Sequence, residues 1–315
     1  MKEISVLIED FILHKESLGY SRRSYEGFLK DFASHLYLHF SGAVTLTESM
    51  ILGWCIKRKT EKEAGFRRRA SALREFTKYL FAIGVSDYII PTDLFPRTPR
   101  YTPYLFTDKE LNQLFAWSDK VNYDPMAPCK HLIIPVIYRL TYFCGLRPNE
   151  GRELKKNDID LKNRTLLIRK NKNHRERLIP MASDVADICK EYIHKVSCVY
   201  PEAEYFFPSP NGNPYSSKWL TRQFLKLWNQ VDLNGHKGVR VYDLRHRYAT
   251  AIMMKWFNEK VDISAMLPHL SAYMGHANLS DTAYYIHLLP EKLIKGSSVE
   301  WDRFVDLIPE VCDEG

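Results

Sequence analysis

Residues able to hold an oxyanion or attack an electrophile fall in four short segments of the chain. The first, CGLRPNEGREL at 144–154, sets Arg147 three residues before Glu150, a spacing that puts both side chains on one helix face. The second, KNKNHRERLIP at 170–180, places Lys172 at a predicted hairpin turn, where a long side chain reaches past the sheet. Lys170 points to the same side by strand alternation. In the third, VYDLRHRYATAIM at 241–253, Tyr242, Arg245 and His246 share a helix face, with Leu244, Tyr248 and Ala251 expected as the opposite, core-facing stripe. The fourth, LSAYMGHANLSDTAYYIH at 270–287, has His276 after Gly275 and Tyr285 nine residues on, with Tyr284 beside it. Guanidinium groups present planar, paired donors to an oxyanion. A phenol can act as a covalent nucleophile, and a lysine can deliver a proton. Taken one at a time, Arg147 with Glu150 reads as a local ion pair and Lys172 as a surface lysine.

In chain order the segments read Arg…Lys…Tyr-x-x-Arg-His…Gly-His…Tyr. This resembles the tyrosine recombinase (phage integrase) family, and the last segment most resembles integrases of mobile elements. The family pattern is GLR-x-x-E, a hairpin lysine before R-x-x-P, then H-x-L-R-H, then L-G-H with a tyrosine nine residues later. The resemblance spans about residues 105–290. It implies that Arg147 and Arg245 clamp the non-bridging oxygens of a DNA phosphodiester. Tyr285 then attacks phosphorus to give a 3′-phosphotyrosine, and His276 donates a hydrogen bond to the phosphate. Lys172 is the acid for the leaving 5′ oxygen, preferred over Lys170 because its distance from Arg177 fits the pattern. Glu150 is expected to orient Arg147, and His246 to be more structural than catalytic. Tyr284 is the rival nucleophile. One position departs from the pattern: Tyr242 stands where the family has histidine. A neutral tyrosine can donate to phosphate but is a poor proton shuttle, its reference pKa being ~10.

The elements that must carry these residues follow from periodicity. The fold class is mostly α with a small β-hairpin or sheet (α+β): an N-terminal four-helix bundle before a mixed catalytic domain. Helices are predicted at Ile4–Leu18, Arg23–Phe40, Thr47–Lys59 and Gly65–Ile83, the last with Leu73, Phe76, Leu80 and Phe81 inward. These form a domain over 1–90, resembling the family's core-DNA-binding domain. Arg67, Arg68 and Arg69 begin the fourth helix, against its dipole, either as a solvated face or as phosphate contacts. The linker is 91–104, where Pro91, Pro96, Pro99 and Pro103 break regular structure and Arg97 and Arg100 add charge for DNA. The catalytic domain is 105–315. Thr107 and Glu110 predict a capping box at its start. Helices are expected over His131–Cys144, from Pro148 to Leu154, and over Ser183–Val196, Ser217–Val231, Tyr242–Trp256 and Ser280–Leu289, with a hairpin over 164–181. A tail helix carries Trp301, Phe304 and Ile308, packing on a neighbouring protomer or on its own domain.

The chain has 315 residues with 45% hydrophobic content, enough for two cores and incompatible with wholesale disorder. A net charge of +7 permits a polyanionic partner without demanding one. Cys55, Cys129, Cys144, Cys189, Cys198 and Cys312 form no CxxC or zinc-ligand spacing and read as reduced thiols. No signal peptide or apolar membrane stretch is present, so a cytoplasmic protein without membrane contact is expected. There is no Walker A, HExxH or G-x-S-x-G motif, so no cofactor and no metal is expected. The partners are double-stranded DNA and a homotetramer on two recombination sites, integrating or excising a mobile element. The first bundle helix begins almost at residue 1, which suggests simple core sites without an arm-binding domain. A chromosome or plasmid dimer resolvase, a type IB topoisomerase-like enzyme and a catalytically weakened DNA-binding protein are the rivals.

Overall fold

The computed structural model describes residues 4–40, 46–92, 94, 101–169, 176–232, 236 and 238–288. The chain divides into two compact units, Met1–Tyr101 and Thr102–Gly315.

In the first unit, α1 (Ile4–Ser17), α2 (Glu26–His39), α3 (Glu48–Trp54) and α4 (Glu63–Ala82) pack around one core. Leu7, Ile8, Phe11 and Ile12 recur at helical spacing on α1 and are all buried against Leu29, Phe32, Leu73 and Phe76. The four expected helices are present with shifted ends. Helix α3 stops at Trp54, and α2 is preceded by a 3-10 turn at Arg22–Ser24. Phe81 faces outward, 52% exposed, because the inward stripe ends at Leu80. Helix α4 begins at Glu63, an acid that suits the helix N-terminus, so the three arginines lie in its second turn. Arg69 is not available to DNA. It is buried, pairs with Glu61 at 2.8 Å and donates to the carbonyls of Trp54 and Ile56. Its guanidinium also covers the Trp54 ring, so it closes the loop between α3 and α4.

The second unit runs α5 (Asp108–Ser118), α6 (Lys130–Phe143), α7 (Pro148–Arg152), β1 (Ile159–Asp160), β2 (Thr165–Ile168), β3 (Arg177–Pro180), α8 (Ser183–Ser197), α9 (Ser217–Val231), α10 (Val241–Asn258), α11 (Ile263–Met274) and α12 (Ser280–Ala283), with a 3-10 turn at Tyr284–Leu288. The Thr107–Glu110 capping box is formed. The hairpin strands pair antiparallel, Leu166 opposite Ile179 and Ile168 opposite Arg177, and β1 adds a third strand that the sequence pattern had not disclosed. The hairpin turn and the tail residues Trp301, Phe304 and Ile308 lie outside the described residues. Helix α11 was also not expected: Pro268 sits inside it, while Asp262 caps it by accepting from the amides of Ser264 and Ala265. The helix predicted over Ser280–Leu289 is a single α turn continued as 3-10.

Helix α10 joins two cores. Leu244 belongs to the cluster built on α6, α8 and α9, and Ala249 and Met253 to one with α11 and the 3-10 turn. The expected division into a core stripe and an open face therefore fails in its first turns. Asp243, Leu244 and Arg245 are all fully buried, while Ala251 is only half-buried. Among the described residues, no helix is long and apolar enough to cross a membrane, and no cluster of His, Cys, Asp and Glu could hold a metal ion.

Candidate active site

The site is built where α7, β3, α10, the C-terminus of α11 and the 3-10 turn meet. Pro148 opens α7, with Arg147 just before it in extended conformation. Glu150 accepts from the Arg147 amide at 2.9 Å and from its Nη1 at 2.7 Å. The Arg147 Nη2 donates to the Gly275 carbonyl at 2.6 Å. Its side chain is 20% exposed, so it is held by the protein yet reaches the opening.

Arg245 is fully buried. Its Nη1 donates to the Gly145 carbonyl at 2.6 Å, and its Nη2 donates to the Met274 carbonyl and to His276 Nε2. Its Nε is buried with no partner among the described residues. Both arginines thus lean on carbonyls at the end of α11, the negative end of a helix dipole. That field, with Glu150, offsets the repulsion between two guanidinium groups. Burial lowers the Arg245 guanidinium from its ordinary value, and Arg147 lowers it further, but such a group stays charged at neutral pH.

Two glycines permit these approaches. Gly145 (φ +57°) lies against the Tyr248 ring, which a Cβ would meet at 2.6 Å. Gly275 (φ +64°) caps α11 and lies against Arg177, where a Cβ would meet Nη1 at 2.9 Å.

Tyr285 is 2% exposed, its ring near His246 (centroids 5.5 Å) and stacked on His276 (6.0 Å). Burial raises its phenol well above the ordinary value, partly opposed by Arg245 and Arg147. Tyr284 is half-buried, its ring centroid 6.3 Å from that of Tyr285. Tyr242 packs on His246 at 4.9 Å, and its hydroxyl interacts with Arg147.

His276 accepts from Arg245 at Nε2, so the proton resides on Nδ1, which donates to Thr282 Oγ1 at 2.7 Å. Burial and then Arg245 push its pKa down to about 3. Burial, Arg240 and Arg245 push His246 down to about 4, and its Nδ1 has no partner among the described residues. Both rings are therefore neutral in the free protein.

The fold brings together Arg147, Glu150, Tyr242, Arg245, His246, His276 and Tyr285 from segments up to 138 residues apart in sequence (285 − 147). Lys172, Arg97 and Arg100 lie outside the described residues. Arg67 and Arg68 belong to the other unit, Arg67 close to Glu63 and Arg68 exposed. Sequence reasoning missed Arg177, which chelates Glu150 through Nη1 (3.0 Å) and Nη2 (2.8 Å). Its alternation with buried Ile179 on β3 was the available signal. It also missed Thr282 and the α11 carbonyls, which carry no sequence signature. Although burial alone would raise the Glu150 carboxyl, Arg177 and Arg147 hold it below the usual carboxylate range.

Residues 105–292 match the phage integrase family. Over 299 residues the chain is 28% identical to a putative integrase/recombinase, y4rB, of Sinorhizobium fredii (strain NBRC 101917 / NGR234), covering 90% of this chain and 92% of that protein. Among solved structures, the XerH site-specific recombinase bound to a palindromic difH substrate, in its post-cleavage complex, is similar with a TM-score of 0.65. It is 20% identical and covers 89% of this chain and 80% of that one. The Tn1549 transposon integrase in complex with transposon right end DNA also gives 0.65, at 14% identity, covering 96% of this chain and 99% of that one. At these identities the two structures establish a shared fold.

Proposed function

The chain belongs to the phage integrase family and is a tyrosine recombinase, and on that premise we propose how its own residues cut and rejoin DNA. The observation that carries the reading is the placement of Tyr285 among Arg147, Arg245, His276 and Tyr242, with a buried Arg245 Nε still free to donate. A phosphodiester entering this pocket meets two guanidinium groups already fixed by protein carbonyls and Glu150. Negative charge that develops on its non-bridging oxygens is stabilised without reorganising the site. Tyr285 Oη forms the bond to phosphorus as the bond to the 5′ oxygen breaks, its phenolic proton passing to the neutral imidazole of His276 stacked beside it, and a 3′-phosphotyrosine is left. Lys172 supplies the proton to the departing 5′ oxygen. Attack of a 5′ hydroxyl on that ester reverses the step, so rejoining needs no ATP.

His276 donates to phosphate only after gaining a proton or changing tautomer. The phosphate's own charge favours the protonated ring. Tyr242, through its hydroxyl, takes the place of the family's histidine on the same oxygens. The first unit serves as the core-DNA-binding domain, with Arg67, Arg68, Arg97 and Arg100 on phosphates. Four copies assemble on two sites of double-stranded DNA in the cytoplasm. Integration or excision of a mobile element is the favoured role, consistent with the similarity to the Sinorhizobium integrase/recombinase.

The test is covalent capture. A suicide substrate nicked beside the scissile phosphate is expected to trap the wild-type protein as a 3′ adduct. Tyr285→Phe is expected to bind DNA within a few-fold of wild type and form none. An adduct from the Phe variant would move the nucleophile to Tyr284. No adduct from the wild type would favour a DNA-binding protein that keeps only the fold.

A further inference from the structure

Glu150 is a single buried carboxylate facing three guanidinium groups. It is hydrogen-bonded by Arg147 and Arg177, and Arg245 Nη1 lies 3.9 Å from its Oε2. The three arginines differ in what they leave over. Arg147 reaches the opening, and Arg245 keeps an unpartnered Nε. Arg177 is bound to protein at all three nitrogens, with Nη1 and Nη2 on Glu150 and Nε on the Tyr273 carbonyl at 2.9 Å. It pairs with Ile168 in the sheet register and shares the core face with Ile179, so the strand aims it inward, away from any DNA phosphate.

The geometry points to Arg177 as a positioning residue: it chelates Glu150 so that the carboxylate steers Arg147 without capturing both clamp arginines. This deepens the recombinase reading and rests on it. With Arg177 in place, both carboxylate oxygens are occupied and their charge is neutralised. Without it, the lone pairs freed on Glu150 would draw in Arg245, already 3.9 Å away, and bind Arg147 through both nitrogens. Each clamp group would then be turned from the phosphate toward an internal anion. The same side chain packs on Gly275, whose carbonyl receives Arg147 and whose neighbour is His276. One residue of β3 thereby ties α7 to the end of α11.

The experiment is single-turnover adduct formation on the suicide substrate, with DNA binding and thermal unfolding measured on the same proteins. Arg177→Met is expected to bind DNA within a few-fold of wild type and to cleave about 10²-fold more slowly, the scale of a clamp displaced by an ångström. The deciding variant is Arg177→Met combined with Glu150→Gln. Removing the unneutralised charge is expected to restore cleavage at least tenfold over Arg177→Met alone. A role limited to holding the fold together predicts no recovery, since the second change removes more contacts. If Arg177→Met does not fold, Arg177→Gln with and without Glu150→Gln gives the same comparison, since glutamine is also uncharged. Wild-type cleavage by Arg177→Met, or no recovery in the double variant while the wild type forms its adduct, overturns the proposal alone. Failure of the wild type to form an adduct overturns the recombinase reading and the proposal with it.

Discussion

Arg147 and Arg245 have the same charge but different surroundings, and the difference sets what each tolerates. Arg245 is fully enclosed, with fixed carbonyls at two nitrogens and His276 beside them. A lysine there keeps the charge but cannot satisfy two diverging carbonyls and a phosphate oxygen together. Arg245→Lys is expected to cleave roughly 10²–10³-fold more slowly, the usual cost of one preorganised donor. Near-wild-type adduct formation in a single-turnover assay would count against the clamp. The two histidines make a second prediction at this scale. Their folded pKa values, about 4 for His246 and about 3 for His276, lie below the ordinary 6.5. Below pH 6.5 the unfolded chain binds protons that the folded chain refuses, so stability falls as pH drops from 6.5 toward 4. The slope limit implies a loss of roughly 2 kcal/mol per histidine between about pH 6.5 and 5. Urea unfolding of wild type and His276→Gln across that range checks it: the variant is expected to show the shallower decline.

At the scale of elements, the end of α11 decides the site. Its last carbonyls hold Arg147 and Arg245, and Gly275 turns the chain so that His276 faces Arg245. Gly275→Ala would force a side chain into the left-handed region and against Arg177 at 2.9 Å. Together these are expected to cost about 1–3 kcal/mol and to slow cleavage at least tenfold by displacing the Gly275 carbonyl. Denaturant midpoints and adduct formation on the same preparation test both halves. Unchanged cleavage would show that the carbonyl does not position Arg147. This part of the site was the least legible in the sequence. The glycine and histidine could be picked out as a motif, but Pro268 hid the helix that ends there, and backbone carbonyls leave no residue-type signal.

For the whole molecule, the +7 charge bears on DNA affinity through released counterions. Binding to duplex DNA is expected to weaken steeply with salt, and loss of each phosphate contact to reduce the slope of log K against log salt by about 1. Arg67→Ala with Arg68→Ala is expected to lower the slope by about 2 and leave unfolding nearly unchanged. Arg69→Ala is expected to behave in the opposite way. It removes the guanidinium that pairs with Glu61 and covers the Trp54 ring, a loss of about 3–5 kcal/mol for a buried pair. Affinity measured from about 50 to 200 mM salt, beside thermal unfolding, separates the two roles. An unchanged slope in the Arg67/Arg68 variant would remove those residues from the DNA interface.

Residue order and spacing by themselves determined the family and the bundle helices, and picked out most of the side chains that the fold gathers around Tyr285. Those features rest on local periodicity and on a motif whose members keep their chemistry wherever they stand. Tertiary structure alone decided which cations remain available. Arg68 and Arg69 are adjacent in one basic run, yet one is exposed and the other is sealed against Trp54. Arg147, Arg177 and Arg245 are equal as residue types, yet one reaches the opening, one is wholly committed to Glu150 and the Tyr273 carbonyl, and one is buried with a single nitrogen to spare. The physical reason is that a guanidinium's role depends on which acceptors surround it. Here those acceptors are carbonyls and a carboxylate brought from distant segments, which only the packing of α7, β3, α10 and α11 places within reach.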